Sequence, residues 1–180
     1  MHRNQVVVGL LVALLAVATQ GCKKKDYGTV SVPATFTAYN GPDYTLKLPP
    51  GWRAVPGNGG VNYYPPDATP PFMSNLFIKS GGSGSPSAIV QGMKKEMKQL
   101  IGDASTSDET AATIGGDSAH QARFKGTLNK PPLPRIALAG LIVGVKGGSK
   151  GYAFTFIGKE GDYDKHGADI EKVIASFKAK

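Results

Sequence analysis

The chain is poor in the side chains on which most enzymes rely. Its 180 residues contain one cysteine and three histidines. A single cysteine excludes an internal disulfide, and a folded domain of this length buries enough surface to need neither disulfides nor metals. The scarcity of histidine and cysteine leaves few candidates for acid–base or nucleophilic catalysis at neutral pH.

Long hydrophobic runs are also scarce, and only one segment is continuously hydrophobic. Residues 6–18 carry no charged or polar side chain and follow a basic start at residues 1–5. A helix needs about 20 apolar residues to span a bilayer, so this run predicts the hydrophobic part of an export signal and not a transmembrane anchor. We therefore predict a lipoprotein signal peptide over residues 1–21.

The lone cysteine directly follows this segment. The sequence Thr19-Gln20-Gly21-Cys22 resembles the lipobox of bacterial lipoproteins, in which the cysteine becomes the lipid-bearing first residue. Cleavage after Ala18, at a small-x-small site, is the alternative and would release a soluble protein. Because an unpaired exposed thiol is an oxidation liability outside the cell, we favour lipid attachment at Cys22. This predicts an exported lipoprotein of the cell envelope, on the periplasmic face or at the cell surface.

The mature chain is basic. Without residues 1–21 it keeps 20 basic and 13 acidic residues, a net charge of +7. Its lysines are spread over nearly every segment, so a surface facing anionic envelope polymers explains the charge better than a nucleic-acid site does. Residues 22–34 lack apolar periodicity and predict a flexible tether, followed by a single globular domain over residues 35–180.

Hydrophobic periodicity predicts a sheet with two helices. Residues 35–39 and 44–48 predict a hairpin, and residues 136–146 predict a strand that is apolar on both faces and needs cover from two layers. Apolar stripes predict helices over residues 86–101, capped by Ser85, and near the C-terminus, capped by Asp162 or Asp164. The expected fold class is α+β, an α/β/α sandwich with a central, mainly antiparallel twisted sheet of about six or seven strands and helices on both faces.

Two short motifs resemble the PsbP-like superfamily. They are residues 44–52 (YTLKLPPGW) and residues 152–156 (YAFTF), the latter followed by a helix ending in Ser176-Phe177. The superfamily includes extrinsic subunits of photosystem II and many small bacterial lipoproteins. The resemblance covers about residues 36–178 and implies a central antiparallel sheet between helical layers, with a non-enzymatic role in binding or assembly.

One loop is a candidate interaction surface. The connector at residues 65–71 contains two Pro-Pro pairs and is flanked by Tyr63, Tyr64 and Phe72. Ordering a stiff loop on binding costs little entropy, so these three aromatic side chains predict a recognition surface. The alternative is a rigid connector whose aromatic side chains cap the core.

The candidate metal-binding and cofactor-binding motifs lack the residue spacing that such sites require. The calcium-loop resemblance that starts at Asp162 has Val173 where a bidentate glutamate is required, and the glycine clusters lack the spacing of a phosphate loop. We interpret His120 and His166 as structural because each falls in an amphipathic element. No catalytic, metal or cofactor-binding residue is predicted, and no cofactor.

These observations predict a lipid-anchored envelope protein with a non-catalytic binding, accessory or scaffold role. We expect a monomer that contacts the membrane through its lipid, binds an unknown envelope protein or polymer, and binds no nucleic acid. Two alternatives stay open: an envelope hydrolase that uses His120 or His166 with a serine or carboxylate, and a small-ligand carrier that uses the concave face of the sheet.

Overall fold

The computed structural model describes residues 24–57, 59–70 and 72–180. The predicted signal peptide and Cys22 lie outside the described residues. In chain order the elements are β1 (Lys25–Asp26), a 3₁₀ turn (Tyr27–Thr29), β2 (Thr37–Asn40), β3 (Tyr44–Leu48), β4 (Arg53–Gly57), β5 (Gly60–Tyr64), β6 (Asn75–Ser80), α1 (Pro86–Leu100), β7 (Ser105–Thr106), β8 (Thr110–Ile114), β9 (Asp117–Leu128), β10 (Ile136–Gly147), β11 (Lys150–Lys159), α2 (Asp162–Ala175) and β12 (Lys178–Ala179).

The strands form two sheets. The larger sheet has nine strands in the order β1-β8-β9-β10-β11-β6-β5-β4, with β7 paired to β9, and the smaller sheet has the order β12-β3-β2. Among the described strands, only β1 and β8 pair in parallel; the other neighbours are antiparallel. The α+β class and the mainly antiparallel sheet are confirmed. The predicted strand number is too low, in part because the two-residue strands β1, β7 and β12 are too short to show a hydrophobic period in sequence.

The long central strands β10 and β11 separate two hydrophobic clusters. Successive side chains of a strand point to opposite faces, and alternate residues of these strands belong to different clusters. One cluster joins Val143 and Phe154 to α2, and the other joins Ile142 and Ala153 to α1. The two helices therefore pack on opposite faces, which we call the α1 face and the α2 face.

Helix α1 begins as its sequence predicts and lies close to the sheet. The Ser85 hydroxyl accepts a hydrogen bond of 3.2 Å from the Ala88 N–H, and Pro86 occupies the first turn. Val90, Met93 and Met97 are buried against the sheet. Below them, a Cβ atom added at Gly144 would overlap the Pro86 carbonyl oxygen, so glycine is what permits this close approach.

The prediction of a flexible tether over residues 22–34 is corrected by the position of the N-terminal segment. From Lys25 onward the chain belongs to the fold: Lys25 pairs with Ala112 of β8, and its ammonium group lies 2.9 Å from the Glu171 carboxylate on α2. Tyr27 is 1% exposed, and its hydroxyl donates a hydrogen bond of 2.6 Å to the Gln121 side chain. Composition suggested a linker because a single buried tyrosine leaves no periodic signal.

Helix α2 packs through Ile170, Val173 and Ile174, all of which are fully buried. Its predicted acidic cap is wrong. Gly161 occupies the N-cap with φ 91° and no side-chain hydrogen bond caps the helix, while Asp162 is its first residue. The left-handed conformation of Gly161 turns the chain sharply from β11 into α2. This turn sets the helix N-terminus beside the ends of β9 and β10.

Candidate functional site

A cleft of about 480 Å³ lies on the α2 face where helix α2 begins. Strands β9 and β10 supply its floor at Phe124, Ala139 and Gly140, and β7 with Ser107 forms one wall. Tyr163 and Asp164 in the first turn of α2 form the opposite wall. The cleft exists because β9 and β10 extend beyond the N-terminal end of the helix that covers them.

Arg123 in the cleft contacts an aromatic side chain. Its guanidinium lies 4.8 Å from the centroid of the Tyr163 ring, within cation–π range. Tyr163 is itself held against Phe156, with ring centroids 5.9 Å apart. Burial raises the pKa of Tyr163 and the nearby Arg123 charge opposes this rise, so the phenol stays neutral at physiological pH. Contact with the ring leaves N–H donors of the guanidinium available for other groups.

Four charged side chains line the cleft. Arg123 and Lys125 project from alternate positions of β9, and Glu160 and Asp164 flank the start of α2. Within the described part of the chain, none of the four takes part in an ion pair. The site therefore carries two cations and two carboxylates whose charges are not neutralised by close internal partners.

A second polar cluster ties the proline-rich connector to α2. His166 is 8% exposed, and its Nε2 lies 3.1 Å from Oδ1 of Asp67, which Lys165 also contacts. The hydrogen bond from Lys165 lowers the pKa of the Asp67 carboxyl below its ordinary value, and the same contact raises the pKa of Lys165. Trp52 packs edge-on against His166 at a centroid distance of 6.2 Å.

The second cluster contains residue types that occur in catalytic sites, but its serine and its histidine are not hydrogen-bonded to each other. It surrounds a cavity of about 210 Å³ into which Ser74 and Asp162 also open. The Ser74 hydroxyl donates to Asp162 and accepts the Lys159 backbone N–H at 3.3 Å. A nucleophile must be hydrogen-bonded to its base, yet His166 is paired with Asp67, and no hydrogen bond joins it to Ser74 among the residues described.

His120 belongs to another polar contact, between α1 and the sheet. Its Nδ1 lies 3.4 Å from the Glu109 carboxylate, which also accepts hydrogen bonds from Ser87, at 2.8 Å, and from Gln91. Ser87 and Gln91 are on α1, so Glu109 holds the first turns of this helix against β8 and β9. Neither predicted histidine lies in the cleft.

The predicted aromatic surface is not assembled. Tyr63 is 0% exposed, and its hydroxyl is 2.7 Å from that of Tyr44 in the α2-face cluster, so its assignment to an interaction surface is wrong. Phe72 packs against the other cluster, on the α1 face. Tyr64 is half-buried, with the Arg53 guanidinium 5.9 Å from its ring centroid. Because alternate strand residues face opposite sides, Tyr63 and Tyr64 cannot share a surface.

The sequence contained one weak signal for the cleft. Ala122 and Phe124 of β9 are buried, whereas Arg123 and Lys125 on the other parity are exposed. That alternation indicates a solvated face, but in sequence it gives no sign that the turn at Gly161 brings Glu160 and Asp164 to the same place.

Among the described residues no cluster of histidine, aspartate, glutamate or cysteine is arranged to hold a metal ion. No helix in the described ranges is long and apolar enough to cross a membrane.

Comparison with solved structures identifies the fold as PsbP-like. The solution structure of the cyanobacterial PsbP protein CyanoP from Synechocystis sp. PCC 6803 matches with a TM-score of 0.58 and 15% identity, over 82% of this chain and 94% of that one. The Ran-binding protein Mog1p of Saccharomyces cerevisiae matches with a TM-score of 0.53 and 8% identity, over 80% of this chain and 96% of that one. At such identities the likeness concerns the fold.

One relative is similar in both sequence and structure. Lipoprotein LpqN of Mycobacterium tuberculosis is 33% identical over an 87-residue alignment that covers 44% of this chain and 38% of the length of LpqN. The crystal structure of LpqN, described as involved in cell envelope biogenesis, matches with a TM-score of 0.52 and 19% identity, over 79% of this chain and 88% of that one. No family model matches the sequence.

Proposed function

We propose that this protein is a lipid-anchored component of the bacterial cell envelope with a non-catalytic, ligand-binding accessory role. The signal-like segment and the lipobox-like sequence before Cys22 support export and anchoring. The similarity to LpqN, a lipoprotein, supports association with the envelope. The cleft at the start of α2 is the binding site in this proposal.

The observation that carries the proposal is the unneutralised charge of the cleft. Charged side chains that serve only the fold are usually solvated separately or paired, as Asp67 is paired with Lys165 and His166. Arg123, Lys125, Glu160 and Asp164 instead converge on one concavity without close ion-pair partners in the described structure. A concave surface with a few convergent polar groups is the usual form of a ligand site.

The anchor and the binding site are tested separately. Intact-mass measurement on the membrane fraction should show the chain beginning at an acylated Cys22, and Cys22→Ser should release it from the membrane. An unacylated native protein in the cytosol would overturn the anchoring.

For the site, a photo-crosslinking residue is placed in intact cells at Thr106, which lines the cleft, and in a matched variant at Gln99, exposed on α1. We expect an envelope component to be captured from position 106 and not from position 99. Equal capture from both positions, or capture from neither, would overturn the assignment of the cleft.

A hydrolase that uses the second cluster remains the competing function. Ser74, Asp162 and His166 lie around one polar cavity, which is the observation in its favour. Cells that carry a folded His166→Gln variant should have the same envelope properties as cells that carry the unaltered protein. An envelope defect like that of cells lacking the protein, with the stability of the variant unchanged, would favour the hydrolase.

A further inference from the structure

We propose that the cleft beside α2 binds a short peptide through its free carboxylate and its free ammonium group. This inference rests on the proposed ligand-binding function and specifies the ligand class. It follows from the arrangement of charge, the orientation of one arginine and the shape of the cavity.

The two signs of charge in the cleft come from different elements. Arg123 and Lys125 are two positions apart on β9, so their Cα atoms are about 6.6 Å apart on the same face of the sheet. Glu160 and Asp164 flank the start of α2. A simple anion or a simple cation would neutralise one pair and repel the other, whereas a zwitterion satisfies both pairs at once.

Arg123 is prepared to bind a carboxylate. Its planar group lies over the Tyr163 ring, which limits the conformations that it must give up on binding. A guanidinium can donate two parallel hydrogen bonds to a carboxylate, and contact with the ring leaves N–H donors of Arg123 available for them. We therefore assign the ligand carboxylate to Arg123 and Lys125, and the ligand ammonium to Asp164 and Glu160.

A second cavity adjoins the cleft along the strands. It has a volume of about 260 Å³, shares Ser105, Lys125 and Glu160 with the main cleft, and is also lined by Thr127 of β9 and Ala137 of β10. The two cavities meet at the shared residues. Such a groove favours an extended chain of a few residues, for which strand-like conformation gives about 3.3 Å per residue.

The first experiment compares three probes that differ only at their ends. The full chain in detergent is titrated calorimetrically with trialanine, N-acetyl-trialanine and trialanine amide. We expect saturable binding of trialanine, and at least tenfold weaker binding of each capped peptide, because each cap removes one charge-assisted contact. Equal affinity for all three peptides, or binding of none, would overturn the proposal.

Two variants assign the ends of the peptide. Arg123→Gln should weaken trialanine binding at least tenfold and abolish the difference between trialanine and its amide. Asp164→Asn should abolish the difference between trialanine and its N-acetyl form. Lys95→Gln, on the exposed side of α1, is the matched control and should leave all affinities unchanged. Thermal unfolding of each variant shows whether the fold is retained, and loss of binding in Lys95→Gln would contradict the assignment.

The same titration separates two sources of such peptides and separates this inference from the proposed function. Tighter binding of a peptide ending in D-alanyl-D-alanine than of trialanine points to peptides released from the cell wall with a free N-terminus, and the reverse points to protein-derived peptides. If position 106 captures an envelope component in cells and no peptide binds in vitro, the peptide proposal fails while the binding function stands.

Discussion

The two faces of the central sheet differ in the side chains that β11 presents. On the α1 face β11 presents Ala153, beside Gly144 of β10 and Phe124 of β9, whereas on the α2 face it presents Tyr152, Phe154 and Phe156. Small residues let α1 lie close to the strands, and aromatic rings fill the layer between α2 and the strands. The candidate cleft lies on the α2 face, where β9 and β10 extend beyond the N-terminal end of α2.

The largest expected effect follows from the aromatic layer. Phe154 is 0% exposed and contacts Phe177 edge-on at 5.0 Å between ring centroids. Phe154→Ala should lower the free energy of unfolding by about 4 kcal/mol, and Met97→Ala on the α1 face by about 2 kcal/mol. Urea denaturation measures both values. Equal losses would contradict the expectation that the aromatic layer contributes more to stability than the packing of Met97 on the α1 face.

The next prediction concerns whether the N-terminal segment contributes to the stability of the α2-face cluster. Tyr27 is buried in its cluster, so Tyr27→Ala should cost about 3 kcal/mol of unfolding free energy. Ser31→Ala, four residues away and exposed, should change stability by less than about 0.5 kcal/mol. If thermal unfolding shows the two variants to be equally stable, residues 25–34 act as a tether after all.

Close approach on the α1 face gives a smaller effect. Gly144→Ala places a methyl group against the Pro86 carbonyl oxygen and Ile89, and should destabilise the protein by about 2 kcal/mol. Gly92→Ala, in open space on α1, should instead stabilise it by about 0.5–1 kcal/mol, because alanine favours the helix. Urea denaturation of the pair measures the difference, and a tolerated Gly144→Ala would mean that α1 is not closely docked.

The smallest expected effect is the pH dependence of the Asp67 cluster on the α2 face. The pKa of Asp67 is lowered in the folded state from an ordinary value of 3.8, so its contribution is complete above that value and is lost as pH falls through the lower folded pKa. Because Asp67 is partly exposed, the contribution is below about 1 kcal/mol.

The Asp67 effect is measured by chemical denaturation at neutral pH and near pH 3. Asp67→Asn should lower stability slightly at neutral pH and reduce its acid dependence. Asp108→Asn removes an exposed carboxylate that forms no ion pair among the described residues, and it serves as the control. An unchanged acid dependence in Asp67→Asn would show that the cluster does not contribute in this way.

Much of the fold was predictable because burial leaves a periodic record. The two-sided hydrophobic pattern of β10, the stripe of α1 and the Ser85 cap were all correctly predicted. Strands β1 and β7 were missed because two residues are too few to show a period. Tyr63 was misassigned because its sequence neighbours do not reveal that it meets Tyr44 in the core.

The candidate site was much less predictable. Arg123 and Lys125 are separated from Glu160 and Asp164 by more than thirty residues, and nothing in their local patterns distinguishes them from ordinary surface charges. They meet because β9 pairs with β10, β10 pairs with β11, and Gly161 turns the chain back over the sheet.

By itself, the sequence determined the predicted export signal, the central strand, the two helices and the α+β class, since each of these depends on local composition or on the period of burial. Only the tertiary structure decided which charges were paired with a partner and which were left facing a cavity. That outcome depends on strand register and on one left-handed turn, and distances between segments remote in sequence leave no periodic trace in the order of residues.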